Sequence, residues 1–248
     1  LKSEKGNDPV ARLTGQAAQG VARAARLLAR RYTLVATNVP YLGLGRQQDD
    51  LRTYSEQRYP LGKADLATVF LERCRDYSVD GGTYALVLPQ GWTFLGSYQR
   101  LREMMLNRQT WNQLCQLGPR AFEMVSGEVV NVVLALFTNA VPAAGHQLTG
   151  VEADEAPTPK DKAHILREGP MCGVTQEEQL ANPDARISLH PHASVGLLST
   201  LATGYAGICS GDYPRFGRCF WELSAIQDGW SPQQSTVRRT VTYGGREH

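Results

Sequence analysis

At 248 residues with 42% hydrophobic content, the chain can bury one large domain, or one and a fraction, and its composition is globular rather than disordered. A formal net charge of +2 is too small to announce a nucleic-acid binder by bulk electrostatics, so any basic surface must come from local clustering. The five cysteines (Cys74, Cys115, Cys172, Cys209, Cys219) are odd in number and form no CxxC pair, which argues against a disulfide framework and a zinc site and fits a reducing cytoplasm. The histidines lack ligand spacing, so no metal is expected. No apolar run reaches membrane-spanning length, and the arginine-bearing start lacks a signal-peptide cleavage pattern, so a cytoplasmic protein without membrane contact is expected.

The chain opens at Leu1, not at a methionine, and passes almost directly into a helical pattern, which reads as a fragment. Over residues 9–30, Val10, Leu13, Ala17, Val21, Ala24, Leu27 and Leu28 recur near helical spacing with arginines between them. An amphipathic helix is expected, with Gly15 and Gly20 as candidate interruptions. Tyr32 to Thr37 is a β-rich apolar run that reads as a buried strand. Residues 42–60 lack sustained periodicity and read as a long loop. Leu66, Val69, Phe70, Cys74 and Tyr77 predict a helix over 64–77, "TYALVLP" the next strand, and residues 98–106 another helix. "WNQLCQLG" and "EVVNVVLALF" follow as two strands without a helix between them. This order points to an α/β sheet whose last strands form a hairpin, with one antiparallel strand. Residues 139–186 hold five prolines and the charged run "EADEAPTPKDK", and read as an exposed connection, with a short helix expected over 194–202.

The stretch "ATNVPYLG" carries the chemistry. Asn38 ends the first strand with an amide that offers a donor and an acceptor, Pro40 holds the preceding residue extended so that the Val39 carbonyl is presented rigidly, and Tyr41 adds a flat ring. Together they could accept two hydrogen bonds from a planar amino group while the ring stacks on the heterocycle carrying it. The plainer reading is a turn, since Asn-x-Pro is a common turn starter and the tyrosine could cap the core.

The neighbouring blocks resemble a known family. "NVPYLG" is similar to the Asn-Pro-Pro-Tyr motif of amino-group DNA methyltransferases, with Val39 in place of the first proline, and "TNVPYLG" looks like the form used by PglX-type methyltransferases of BREX phage-defence systems and their type IIG restriction-modification relatives. The segment from "GKADLATVFLERC" through "SYQRLREMML" resembles the family's next helix, strand and helix, "LGPRAFEMVSGEVVNVVLALF" the block in which an aromatic precedes the final hairpin strand, and "GICSGDYPRFGRCFWEL" the start of the recognition region. The resemblance implies the C-terminal part of a Rossmann-like, S-adenosylmethionine-dependent methyltransferase sheet: a partial catalytic domain over 1–138, a connection over 139–186, and the start of a target-recognition domain over 187–248. It implies transfer of methyl from S-adenosyl-L-methionine to the N6 of an adenine flipped from double-stranded DNA, in phage defence or restriction, with other phage-defence proteins as possible partners.

On that resemblance Asn38, Val39, Pro40 and Tyr41 form the catalytic loop and Phe122 stacks on the second face of the base. Asp65 and Phe70 fall where the family lines its cofactor cleft. Arg215 and Arg218, interleaved with aromatics, are candidates for phosphate contact. Each has a plainer reading: Phe70 as core, Asp65 as a solvated first helical turn, the aromatics near Arg215 as anchors of the second domain. The glycine-rich cofactor loop that such enzymes place upstream of this motif is not found in the residues before Asn38. The expected piece therefore keeps the catalytic loop, lacks most of the cofactor site and is inactive alone. Two rivals stay open: a methyltransferase acting on protein glutamine, whose amide poses a similar problem, and a non-catalytic DNA-binding or assembly subunit. No nuclease signature is evident.

Overall fold

A computed structural model describes residues 9–122, 130–190, 200–204, 212–225 and 229–231. The chain divides into two compact units, residues 1–193 and 194–248.

The first unit opens with helix α1 (Pro9–Leu28), which runs through Gly15 and Gly20 without a break, although each glycine costs about 1 kcal/mol relative to alanine. From Ala17 onward its side chains are exposed, and the Tyr32 hydroxyl donates to the Leu27 carbonyl at 2.8 Å to fix its exit. Strand β1 (Tyr32–Asn38) follows. Its apolar run suggests burial, but β1 is a sheet edge that pairs on one side only among the described residues, and Leu34 is 63% exposed.

Residues 42–60, read as a loop, instead hold helix α2 (Asp49–Arg58). It escapes the periodicity test because it is polar all round and buries only Ser55, while Asp49 and Asp50 in the first turn and Arg58 in the last suit the helix dipole. Helix α3 (Leu66–Tyr77), strand β2 (Ser78–Pro89), helix α4 (Gln99–Arg108), strand β3 (Thr110–Gly118) and strand β4 (Val132–Thr138) then follow in the expected order.

Residues 139–186 are not an exposed connection. They form strand β5 (Gln147–Glu152), helix α5 (Pro159–Glu168), strand β6 (Cys172–Thr175) and helix α6 (Gln176–Ala181), and both strands join the sheet. The strands are short and glycine-bearing, and several of the residues buried here are polar, so composition gave no sign of a core. Gln176 is one of them: its side chain donates to the carbonyls of Leu106 and Gln109 at 2.6 and 2.7 Å and accepts from the Trp111 amide at 3.0 Å.

The sheet order is β1-β2-β4-β3-β5-β6. β1 and β2 are parallel, as are β3 and β5, and β4 lies antiparallel between β2 and β3. β1, β2, β3 and β5 therefore point the same way, and their carboxyl ends open on one rim, where open α/β sheets place their ligands. β4 alternates between two apolar layers. Val133, Ala135 and Phe137 enter the main core with Tyr84, Trp92, Trp111 and Leu71, while Val132 enters a smaller cluster with Leu117 and Ala153, packed by Leu134 and by Ile165 and Leu166 of α5. In the main core the Trp111 and Phe137 rings meet edge to face at 5.0 Å, an arrangement the ring quadrupoles favour.

Arg102 of α4 is completely buried. Its guanidinium donates to the carbonyls of Trp92, Leu95, Asp184 and Ala185 at 2.8, 2.7, 2.8 and 3.1 Å, joining the turn after β2 to the segment after α6. Burial lowers its pKa, and the Asp184 carboxylate is turned instead to Arg186 at 3.0 Å.

The described part of the second unit contains the short helix α7 (Tyr213–Phe216) and a turn over Phe220–Glu222. Most of the helix expected over 194–202 lies outside the described residues. No described helix is long and apolar enough to cross a membrane.

Replacing Arg102 by methionine strips four buried carbonyls of their donor. Urea denaturation should show a loss of more than about 3 kcal/mol. A loss below about 1 kcal/mol would show that water reaches these carbonyls.

Candidate active site

Asn38 is the last residue of β1, held in register opposite Val87 of β2. Its side chain is exposed and its amide makes no hydrogen bond among the described residues. Val39 is buried, with 5% exposure, which anchors the loop by its side chain, and its carbonyl accepts no hydrogen bond among the described residues. Two acceptors on adjacent residues are thus uncommitted at the rim. Tyr41 is half-buried and packs against both apolar clusters.

The exit of this loop is stitched to the start of α3. The Leu42 amide donates to Asp65 Oδ1 at 3.3 Å, the same oxygen accepts from the Ala67 amide at 2.8 Å as the N-cap of α3, and Gly43 and Asp65 form an isolated antiparallel bridge. The Leu42 carbonyl accepts from the Leu66 amide at 2.9 Å and from Gln47 Nε2 at 3.0 Å, and the Leu44 amide donates to the Ala64 carbonyl at 3.0 Å. One carboxylate thereby caps a helix and clamps the loop carrying Tyr41. Glu72, buried on α3, supports the same segment by accepting from the Gly62 amide at 2.8 Å, and burial raises its carboxyl pKa. The sequence reading sets Asp65 in the first turn of a helix over 64–77, whereas the helix starts at Leu66; an acid just before an apolar-periodic run is the signal for the cap. It did not signal Gln47 or Glu72, which act on backbone groups distant in the chain.

Phe70 is half-buried and lines a cleft of about 260 Å³ between α2 and α3 with Tyr54, Tyr59, Leu66 and Tyr77, where Arg73 lies 4.2 Å above the Tyr77 ring. Asp65 Oδ1 is committed to the Leu42 and Ala67 amides, and its Oδ2 makes no hydrogen bond among the described residues. Phe70 thus offers an aromatic wall and Asp65 one uncommitted carboxylate oxygen, which do not make a complete cofactor site.

Phe122 stands exposed on the connection from β3 to β4, on the rim that Asn38 shares. Its neighbour Ala121 packs on the Leu117, Val132 and Ala153 cluster, which Tyr41 also covers. Arg215 and Arg218 belong to the second unit: the Arg215 guanidinium sits 5.2 Å over the Phe216 ring, and Arg218 donates to the Gly217 carbonyl at 2.8 Å. Among the described residues no cluster of histidine, cysteine, aspartate or glutamate could hold a metal, and Cys74, Cys115 and Cys172 are free thiols.

The chain is similar to known restriction-modification and adenine-specific methylases. Residues 16–122 match the Eco57I restriction-modification methylase family. Over 108 residues the chain is 38% identical to the adenine-specific methyltransferase PglX of Lacticaseibacillus casei (strain Zhang), a match spanning 44% of this chain and 9% of that protein. Over 113 residues it is 36% identical to the adenine-specific methyltransferase BrxX of Escherichia coli O9:H4 (strain HS), spanning 46% and 9%. The chain thus matches only a small part of the length of these relatives. Among solved structures, one of a type I restriction-modification system superposes with a TM-score of 0.51 at 16% identity, covering 71% of this chain and 42% of that one, a likeness of fold. The resemblance read from the sequence is borne out: this chain is similar to PglX-type adenine-specific methyltransferases and carries the restriction-modification methylase pattern.

The Tyr41 hydroxyl is buried without a hydrogen-bond partner among the described residues, and burial, followed by the Asp65 charge, pushes its pKa up to about 12. An acid whose folded pKa exceeds its unfolded value of 10.0 contributes fully to stability below pH 10 and loses that contribution as pH rises toward 12. Tyr41→Phe should therefore keep its stability at pH 7, having lost only an unsatisfied hydroxyl, and show a shallower decline above pH 10 in denaturant melts. An unchanged alkaline slope would mean that the hydroxyl is solvated.

Proposed function

We propose that this chain carries the catalytic loop of a site-specific DNA adenine-N6 methyltransferase acting in phage defence or restriction-modification. The observation that carries the reading is the pair of uncommitted acceptors, the Asn38 amide oxygen and the Val39 carbonyl, set beside the Tyr41 ring on the carboxyl rim of the sheet.

An adenine amino group has two N–H donors in the plane of its ring. Accepted by Asn38 and Val39, they hold the amine in place and draw its nitrogen toward tetrahedral geometry, so its lone pair leaves the ring system and becomes nucleophilic. Neither acceptor is a base at neutral pH, so the proton lost on methylation passes to water. The target base must leave the duplex to reach the rim, at a cost of a few kcal/mol. Stacking on Tyr41 and Phe122, worth about 1–3 kcal/mol per contact, offsets that cost. Val39 in place of a proline keeps the acceptor, and the burial of its side chain supplies the rigidity that the ring would have given.

S-adenosylmethionine is the methyl donor this reading requires, and it supplies an electrophilic methyl group. Phe70 and its cleft would receive a flat ring of that molecule, whereas Asp65 serves the loop. Arg215 and Arg218, on the unit read as the start of a target-recognition domain, would contact DNA phosphates.

The test is methyl transfer from labelled S-adenosylmethionine to unmodified DNA by the natural gene product that contains this chain. Asn38→Ala should lower adenine methylation by about 100-fold or more while DNA binding persists. Undiminished transfer by the variant, or label found on protein instead of DNA, overturns the assignment.

A further inference from the structure

The charged run that reads as a linker contains a buried cation. Lys162 lies in the first turn of α5 with 2% of its surface exposed, and its Nζ donates to the carbonyls of Leu117, Ala153 and Asp154 at 2.6, 2.8 and 3.2 Å. Those bonds use every proton of the ammonium, and none goes to a carboxylate. Taking an ammonium out of water is costly, but a methionine in the same space would leave three carbonyls without a donor. Packing alone therefore does not account for a lysine here.

What Lys162 joins is specific. Leu117 is the last residue but one of β3, and Ala153 and Asp154 follow directly on β5. The Ala153 amide donates to the Gln116 carbonyl at 2.8 Å, continuing the pairing of these two strands past the end of β5. At the junction Gly118 has φ +60°, and a Cβ there would lie 2.7 Å from the Asp154 Cβ and 2.9 Å from its Cα, so only glycine lets the strand ends close. Beyond it Arg120, at φ 57°, is also in the left-handed region, and two residues later comes Phe122. Lys162 therefore sits at the root of the segment that presents this aromatic, while Ile165 and Leu166 of the same helix pack on the cluster that Ala121 and Tyr41 cover. Burial lowers the pKa of the ammonium, the cost expected of a cation held for its position.

We propose that Lys162 is a positioning residue for base capture: by tying the carboxyl ends of β3 and β5 together it sets the departure of residues 118–122, and so places Phe122 to close on an adenine whose other face lies on Tyr41. This deepens the methyltransferase reading and rests on it. It also gives α5, which lies beyond the residues matched by the methylase family, a part in that site.

The experiment uses the natural gene product, DNA with 2-aminopurine at the target adenine, and the variants Lys162→Met, Lys162→Arg, Phe122→Ala and the Lys162→Met/Phe122→Ala pair. Lys162→Met and Phe122→Ala should each lower kcat/KM for DNA by about tenfold and alter the 2-aminopurine signal alike. The double variant should be no worse than the poorer single one, because both remove the same contact. Lys162→Arg should restore part of the loss. Effects that multiply in the double variant, or a lower melting temperature of Lys162→Met with an unchanged 2-aminopurine signal, make Lys162 structural only and overturn the proposal. Should Lys162→Met not fold, the same cycle is read with Lys162→Arg, and multiplying effects overturn the proposal there too. Full DNA methylation by Asn38→Ala would instead sink the methyltransferase reading, and the role of Lys162 with it.

Discussion

The architecture depends on β4 running antiparallel between two strands of the opposite sense. Hydrogen-bonded to β2 on one side and β3 on the other, it lets β3 run parallel to β1 and β2 although β3 and β4 form a simple hairpin. The carboxyl ends of β1, β2 and β3 then share a rim, which brings the loop after Asn38 and the segment holding Phe122 to the same side of the sheet. The alternation of β4 also divides the apolar residues into two layers, and Tyr41 reaches both.

Around this sheet the non-repetitive segments are held by polar side chains that replace water with backbone groups. Arg102 gathers four carbonyls, Lys162 three, and Gln176 bonds two carbonyls and one amide. Each satisfies a buried backbone group that no strand or helix could satisfy, and leaving such a group unmade costs more than the bond itself returns. These ties are directional where apolar packing is not, which is why they occur at loop roots.

The loop proposed as catalytic shows the same division of labour. The Asn38 side-chain amide and the Val39 carbonyl make no hydrogen bond among the described residues, whereas Leu42 beyond them is bonded at both its amide and its carbonyl. On the proposed reading, a site that receives a base keeps its acceptors empty and fixes the backbone on either side, here by β-register before Asn38 and by the Asp65 carboxylate after Tyr41. Asp65, read from family likeness as a cofactor contact, also clamps that loop through Oδ1.

Local structure was legible in the sequence: the strand running into Asn-Val-Pro-Tyr, the helix over 64–77, the hairpin pair of strands and their order. All depend on neighbours along the chain or on a short period, and a linear pattern records both. The tertiary structure alone decided the rest. It made β1 an exposed edge, because pairing partners are not written in a strand's own residues. It made a polar stretch into α2, since a helix lying on a surface needs no apolar stripe. It turned the proline-rich, charged residues 139–186 into two strands of the sheet and placed Lys162 and Gln176 inside it, because a polar residue's burial is set by the backbone groups that surround it in space, and those come from elsewhere in the chain.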